Sequence, residues 1–380
     1  RLISDYCEKN SDSKAKNTLE QYRKKYNSYV ETPLVDVSEM DFYSTHEMVF
    51  PNKSQIFVPQ SFRALTYKNN IHLEDRKTWE MCDERDDIGK FVSDILRHSV
   101  IGSLPLLILG HPGAGKSLLC NMLAARILHH EYHVIIVKLR DTVAEQTVPQ
   151  QINQQIERDF SNGCKWSDIA ESGLEKPILI IFDGYDELLQ ASGRTYSDYL
   201  QKIVEFQKQQ KDIYGIFVKC IVTSRITLID KALISNNSPI IMLSDFDDKR
   251  VKQWCQIWNE KNKDYFIQVN LEEFEIDSSS KVSELSKQPL LLLMLVVFLV
   301  DVIYLQQTFL NSNWFHRTEI EASKQVPISF VHNENTSSNF IPLPAYETIP
   351  AKYQYVLKDE IYELIKYSLD NYGKIGHIQR

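Results

Sequence analysis

The sequence has no hydrophobic run long enough to cross a bilayer. Its longest, Leu290 to Val300, is eleven residues and stops at Asp301, whereas a spanning helix needs about 20. The run is expected to form a buried core helix. No signal peptide is visible at the start. The six cysteines, Cys7, Cys82, Cys120, Cys164, Cys220 and Cys255, form no C-x-x-C pair and show no zinc-ligand spacing with histidines. They therefore read as reduced thiols, with Cys120 and Cys220 acting as small hydrophobes inside apolar runs. Positive charge is in deficit: 43 Lys and Arg face 51 Asp and Glu, a formal net charge of −8. That argues against a broad electrostatic grip on nucleic acid and leaves room only for a local basic patch. No internal repeat of 20–50 residues is found, and no Ser/His/Asp or Cys/His arrangement points to a nuclease, protease or deaminase. His129, His130 and His133 flank a helix end and a strand start and read as surface residues. A chain that begins at Arg1 and stops at Arg380 is expected to be a piece of a longer, cytoplasmic protein.

What is present is an ordinary globular composition, 43% hydrophobic and 25% charged. A length of 380 residues suggests two or three domains. Residues 1–45 are polar, with Leu19, Tyr22, Tyr26 and Tyr29 at helical spacing; residues 46–80 look like an irregular connector with Pro51 and Pro59. From Asp86 the pattern sharpens. Ile88, Phe91, Val92, Ile95 and Leu96 share one helical stripe. Short apolar runs follow at 104–109, 134–139, 178–182, 217–222 and 239–243, with helical patterns between them such as 118–128 and 198–210. Unbroken apolar strands alternating with helices imply a parallel sheet covered on both faces. After Leu243 the strands stop, and helices are expected near 247–259, 281–305 and 357–371. The expected fold is α/β, with a parallel sheet flanked by helices, followed by a helical domain. The expected divisions are an N-terminal helical or linker region (1–80), an α/β domain (81–244), a helical domain (245–310), and a linker with the start of a further helical, winged-helix-type domain (311–380).

Three strand ends carry the chemistry. Gly110, His111, Pro112, Gly113, Ala114, Gly115, Lys116 and Ser117 fit G-x-x-x-x-G-K-[ST], placed after a strand and before the helix that continues through Leu118. Glycines let backbone N–H groups converge on phosphate oxygens, and the helix offers its positive end to the same anion. Lys116 is expected on the β- and γ-phosphates and Ser117 on Mg²⁺. His111 points either at the nucleotide or outward. The strand 178–182 ends in Asp183, a second hard-oxygen ligand for Mg²⁺. Asp186 and Glu187 follow within one turn, and one of them can polarise the attacking water as general base; the alternative is that both only cap the next helix. Thr223-Ser224-Arg225 closes another strand at the same sheet edge, where open α/β sheets bind ligands. Arg225 is expected to read the γ-phosphate or else to pair with a carboxylate.

Together these pieces resemble the NACHT family of P-loop NTPases, of the STAND class. Asp183-Gly184-Tyr185-Asp186-Glu187-Leu188 resembles its extended Walker B and Thr223-Ser224-Arg225 its sensor 1. Leu243-Ser244-Asp245-Phe246, before a helix with Trp254 and Trp258, resembles the entry to its helical domain. Lys287-Gln288-Pro289-Leu290 resembles its G-x-P element, with Lys where that family usually has Gly. The resemblance covers roughly residues 85–310. It implies Pro289 packing near adenine, ATP/ADP and Mg²⁺ as cofactors, and a slow ATPase switch. In such a switch a trigger ligand sensed by a C-terminal region drives homo-oligomerisation and effector activation, as in innate-immune and bacterial antiviral sensors. The competing readings are a motor or remodelling ATPase of the AAA+ kind and a nucleotide-binding module that does not hydrolyse.

Overall fold

The structure is a computed structural model that describes residues 2–35, 48–69, 71–98, 103–192, 197–229, 232–268, 273–276 and 281–297. Arg1–Val296 forms one compact unit. Its centre is a seven-stranded sheet. The strands are β1 Phe62–Thr66, β2 Glu84–Arg85, β3 Leu106–Gly110, β4 His133–Lys138, β5 Ile178–Asp183, β6 Val218–Arg225 and β7 Pro239–Leu243. Their order is β2-β1-β7-β3-β6-β5-β4. The five strands β3 to β7 run parallel, as the unbroken apolar runs predict. Helices flank this sheet and a helical region follows it. Every residue of Ile178–Phe182 is at most 3% exposed. Burial of that kind is worth about 1.5–3 kcal/mol per large side chain, so the central strands form a rigid base for whatever their ends carry.

Two strands were not expected. Residues 46–80 hold more than an irregular connector: β1 pairs antiparallel with β7, and just past this segment β2 pairs antiparallel with β1. The sheet is therefore mixed, with an antiparallel ribbon at one edge. Its outermost strand is only Glu84 and Arg85, both exposed, a short charged edge of the kind that discourages further pairing. Arg85 lies 4.5 Å from the Phe91 ring centre and pairs with Asp87 at 2.7 Å.

The opposite edge, β4, is covered by the helix Leu2–Val30. Ala15, Leu19, Tyr22, Tyr26 and Val30 recur every three or four residues and are all at most 4% exposed, one stripe of a helix against the core. The Ile136 N–H of the edge strand donates to the Tyr26 hydroxyl oxygen at 2.8 Å. Lys14 donates to the Gly163 carbonyl, Asn162 to Thr18 Oγ1, and Lys25 pairs with Asp159. The N-terminal helix thus completes the core of the α/β unit.

The helix after β3 runs Lys116–Met122 and continues as a π-helical turn, Leu123–Ile127. After β7 come the helices Asp248–Lys261, Lys263–Gln268 and Lys281–Ser286. A further helix begins at Pro289 and runs through 297. The expected helix 281–305 is therefore broken by the turn at 287–288. The run from Leu290 departs from a fully buried helix: Leu292 and Val296 are at most 1% exposed, but Leu290 is 50% and Met294 44% exposed. Residues 298–305 of that expected helix, and the helix expected at 357–371, lie outside the described residues. Among the described residues no helix is long and apolar enough to cross a membrane.

Candidate functional site

Register brings the three polar strand ends to one edge. Gly110 at the end of β3 lies opposite Arg225 at the end of β6. Asp183 at the end of β5 lies opposite Lys138 of β4 and one step beyond the Phe182–Val222 pair. β3 ends in the buried Gly110, whereas β5 and β6 end in the partly exposed Asp183 and Arg225.

The loop 110–115 turns through two glycines in the left-handed region, Gly113 (φ 76°) and Gly115 (φ 78°), a conformation side chains with a Cβ rarely adopt. Ala114 between them is buried, His111 and Pro112 are exposed, and Ser117 is exposed in the first turn of the following helix. The Lys116 ammonium donates to the carbonyls of Gly110 and His111, both at 3.0 Å. Burial pushes its pKa down, and the charges of Asp186 and Asp183 pull it back up. The lysine is thus held at the mouth of the loop, facing the two acidic groups.

Asp183 is held from the neighbouring strand. Thr223 Oγ1 donates to Asp183 Oδ1 at 2.6 Å and accepts the Gly184 N–H at 2.9 Å. Gly184 has φ 88°. A Cβ there would stand 2.9 Å from Glu187 Oε2, so the backbone favours glycine and any side chain at this position would push the Glu187 carboxylate aside. The Gly184 carbonyl accepts the N–H groups of Glu187 and Leu188, which starts the helix Tyr185–Ser192.

The two acidic residues that follow are not equivalent. Asp186 is 3% exposed; it accepts the Arg225 N–H at 3.0 Å and pairs with Arg225 Nε at 2.8 Å. Its carboxylate is occupied in holding Arg225. The Glu187 carboxylate has no hydrogen-bond or ion-pair partner among the described residues and is half-buried. Burial raises its pKa, Asp186 and Asp183 add to the rise, and Arg140 and Arg225 oppose it. A carboxylate that is open to the site with a raised pKa has the character of a general base; one locked in an ion pair does not.

The helical region also reaches this edge. The Leu290 N–H donates to the Gly113 carbonyl at 3.3 Å. Leu290 Cβ and Gln288 Oε1 stand 3.2 and 3.7 Å from where a Gly113 Cβ would be. Pro289 opens the last described helix directly on the loop. The Phe246 N–H, just past β7, donates to the Lys287 carbonyl at 2.7 Å and fixes that turn. The structure therefore gathers 110–118, Asp183, Asp186, Glu187, Arg225 and the turn at Pro289 at one sheet edge.

Sequence reasoning missed two neighbours. Gln60, 7% exposed, donates to the Ser244 carbonyl at 3.4 Å and places Oε1 4.0 Å from where a Gly115 Cβ would be. Tyr29, near the end of the N-terminal helix, feels the charges of Asp183 and Arg140. Neither sits in a recognisable spacing; only the pairing of β1 with β7 and the docking of the helix bring them near.

The donor set suits a hard cation. One hydroxyl, Ser117, and one carboxylate, Asp183, are oxygen ligands of the sort Mg²⁺ takes alongside phosphates and waters. No group of three or more His, Cys, Asp or Glu able to hold a metal is found among the described residues, so an all-protein metal cage is not formed there.

Comparison with known proteins agrees with the geometry. Residues 106–245 match the model of the ATPase family associated with various cellular activities, AAA. These residues, β3 to just past β7, are an AAA-type P-loop ATPase domain, whereas the motifs alone resembled the NACHT family. No curated protein matches the sequence. Among solved structures, C. elegans PCH-2 is similar at 15% identity with a TM-score of 0.30, over 57% of this chain. The chain spans about half of that protein, 53%.

Proposed function

We propose that this chain is an ATP-hydrolysing module of the AAA type that couples nucleotide turnover to movement of its helical region, and that the protein works as a homo-oligomer remodelling a macromolecular partner. Backbone N–H groups of the loop 110–115, other than Pro112, and the Lys116 ammonium hold the β- and γ-phosphates. To bind them, Lys116 leaves the Gly110 and His111 carbonyls for phosphate oxygens. Ser117 and Asp183 would hold Mg²⁺, which, when bound, neutralises phosphate charge and orients the triphosphate. Glu187 takes the proton of the attacking water. Arg225, fixed by Asp186, presents its remaining guanidinium donors to the γ-phosphate side. The observation that carries this reading is the AAA match over the strands that hold these groups. The seat of Leu290 on Gly113 supplies the coupling: phosphates entering the loop press on the turn that starts the last described helix.

A slow signalling switch of the NACHT or STAND kind is the second reading. The run Asp183-Gly184-Tyr185-Asp186-Glu187 favours it. In that case ADP holds an inactive monomer and ATP releases it to assemble, with a trigger ligand and an effector outside this chain. One preparation separates the two. The purified chain is denatured, released nucleotide is identified, and turnover and mass in solution are followed with ATP. An empty site, multiple turnovers and ATP-dependent oligomers support remodelling. One ADP per chain, with turnover limited by its release, supports the switch.

A further inference from the structure

We propose that Thr223 is a positioning residue that decides which oxygen of Asp183 is presented to the nucleotide-bound metal. The inference rests on the ATP–Mg²⁺ reading of the site and deepens it. A threonine hydroxyl has one proton and two acceptor positions. Here the Gly184 N–H takes an acceptor position at 2.9 Å, and the contact to Asp183 Oδ1 is 2.6 Å. The single proton therefore lies on the Asp183 side, and the carboxylate is the acceptor. A separation that short fits a charge-assisted bond to an ionised group. With Oδ1 committed, Oδ2 is left: among the described residues no protein donor bonds to it.

Thr223 is suited to this. It is 0% exposed, on β6 between β3 and β5, and its β-branched side chain is stiff at χ1. The hydroxyl cannot rotate away without giving up both of its partly buried partners. It also has a second reach. The peptide whose N–H it holds is Gly184, whose carbonyl accepts the Glu187 N–H at 3.0 Å. One hydroxyl thus ties the metal-side carboxylate to the turn that places the water-side carboxylate. Groups of this kind behind a metal ligand change metal affinity by about 10–100-fold when removed.

The test uses the whole chain and a fluorescent ADP analogue, titrated in EDTA and then with rising Mg²⁺. Thr223→Val removes the hydroxyl and keeps the shape; Thr223→Ala removes it with less steric demand, should valine fail to fold; Thr223→Ser restores it. Both hydroxyl-free variants are expected to bind the analogue in EDTA as wild type does. The Mg²⁺ concentration for half of the Mg²⁺-dependent gain should rise at least tenfold. Thr223→Ser should stay within about threefold of wild type. An unchanged Mg²⁺ midpoint in the valine or alanine variant overturns the proposal. So does an equal loss of affinity with and without Mg²⁺, which makes Thr223 a structural residue only. A wild type with no Mg²⁺-dependent binding sinks the ATP–Mg²⁺ reading itself, a result distinct from either.

Discussion

Replacing Gly184 by alanine should separate catalysis from binding. The residue has φ 88°, and an L-residue in that region costs roughly 1–2 kcal/mol. The added Cβ would also meet Glu187 Oε2 at 2.9 Å and Cδ at 3.1 Å. Those atoms end a flexible side chain, so the carboxylate moves rather than the fold failing. In a domain of this size a loss of 1–2 kcal/mol lowers the melting temperature by roughly 2–8 °C. A displacement of the base by an ångström costs about 100-fold in rate. Nucleotide affinity should change by less than about threefold, because Lys116, Ser117 and the loop 110–115 keep their places. Thermal unfolding, ADP titration and ATP turnover of Gly184→Ala measure the three quantities. A variant that melts and turns over as wild type would refute the claim that this backbone position and its closeness to Glu187 matter.

Three further perturbations follow from the same geometry. Tyr26→Phe keeps the ring packing but leaves the buried Ile136 N–H without its acceptor, so urea unfolding should show a loss of about 1–3 kcal/mol; no loss would mean that water replaces the hydroxyl. Asp186→Asn removes the charged partner of Arg225, and since Arg225 is 36% exposed the stability cost is held to about 1–2 kcal/mol. Turnover should fall with it while ADP still binds, and unaltered turnover would count against a role for Arg225. Glu187→Gln should lower kcat by about 10²–10⁴. Burial and the neighbouring Asp186 and Asp183 raise the Glu187 pKa, so the wild-type rate should fall off with acid at a pH above that of an ordinary glutamate, and a limb at the ordinary value would contradict the environment described. The sign for stability is the reverse: the fold favours protonated Glu187, that contribution is lost as pH rises through the folded pKa, and Glu187→Gln should be the more stable protein at neutral pH.

The part of the fold built from unbroken apolar runs was legible in the sequence. Leu106–Gly110, Ile178–Asp183 and Pro239–Leu243 announce themselves because strands buried on both faces have no polar alternation to blur them. The strand Phe62–Thr66 was hidden for the opposite reason. Phe-Arg-Ala-Leu-Thr, one strand in from the sheet edge, is largely of intermediate burial, short and mixed in character, and it is a strand because β7 offers it a partner. The N-terminal helix was visible as a helix through its Leu19, Tyr22 and Tyr26 stripe, but nothing local says that the stripe faces the edge of a sheet more than a hundred residues away. The break between Lys281–Ser286 and the helix at Pro289 follows from proline, which opens a helix more readily than it continues one. At the site, the residue types and spacings single out three strand ends, and strand register brings those ends to one sheet edge. The division of labour between Asp186 and Glu187 was not legible, since it depends on which carboxylate the Arg225 guanidinium reaches across β5 and β6.

In the proposed mechanism one sheet edge binds ATP through Lys116 and hydrolyses it through Glu187. The most direct test follows ADP binding and single-turnover ATP hydrolysis in wild type, Lys116→Ala and Glu187→Gln, side by side. Lys116→Ala should lose binding, and Glu187→Gln should bind as wild type while its chemical step slows by two orders of magnitude or more. Binding retained in Lys116→Ala, or a chemical step in Glu187→Gln as fast as in wild type, would contradict it.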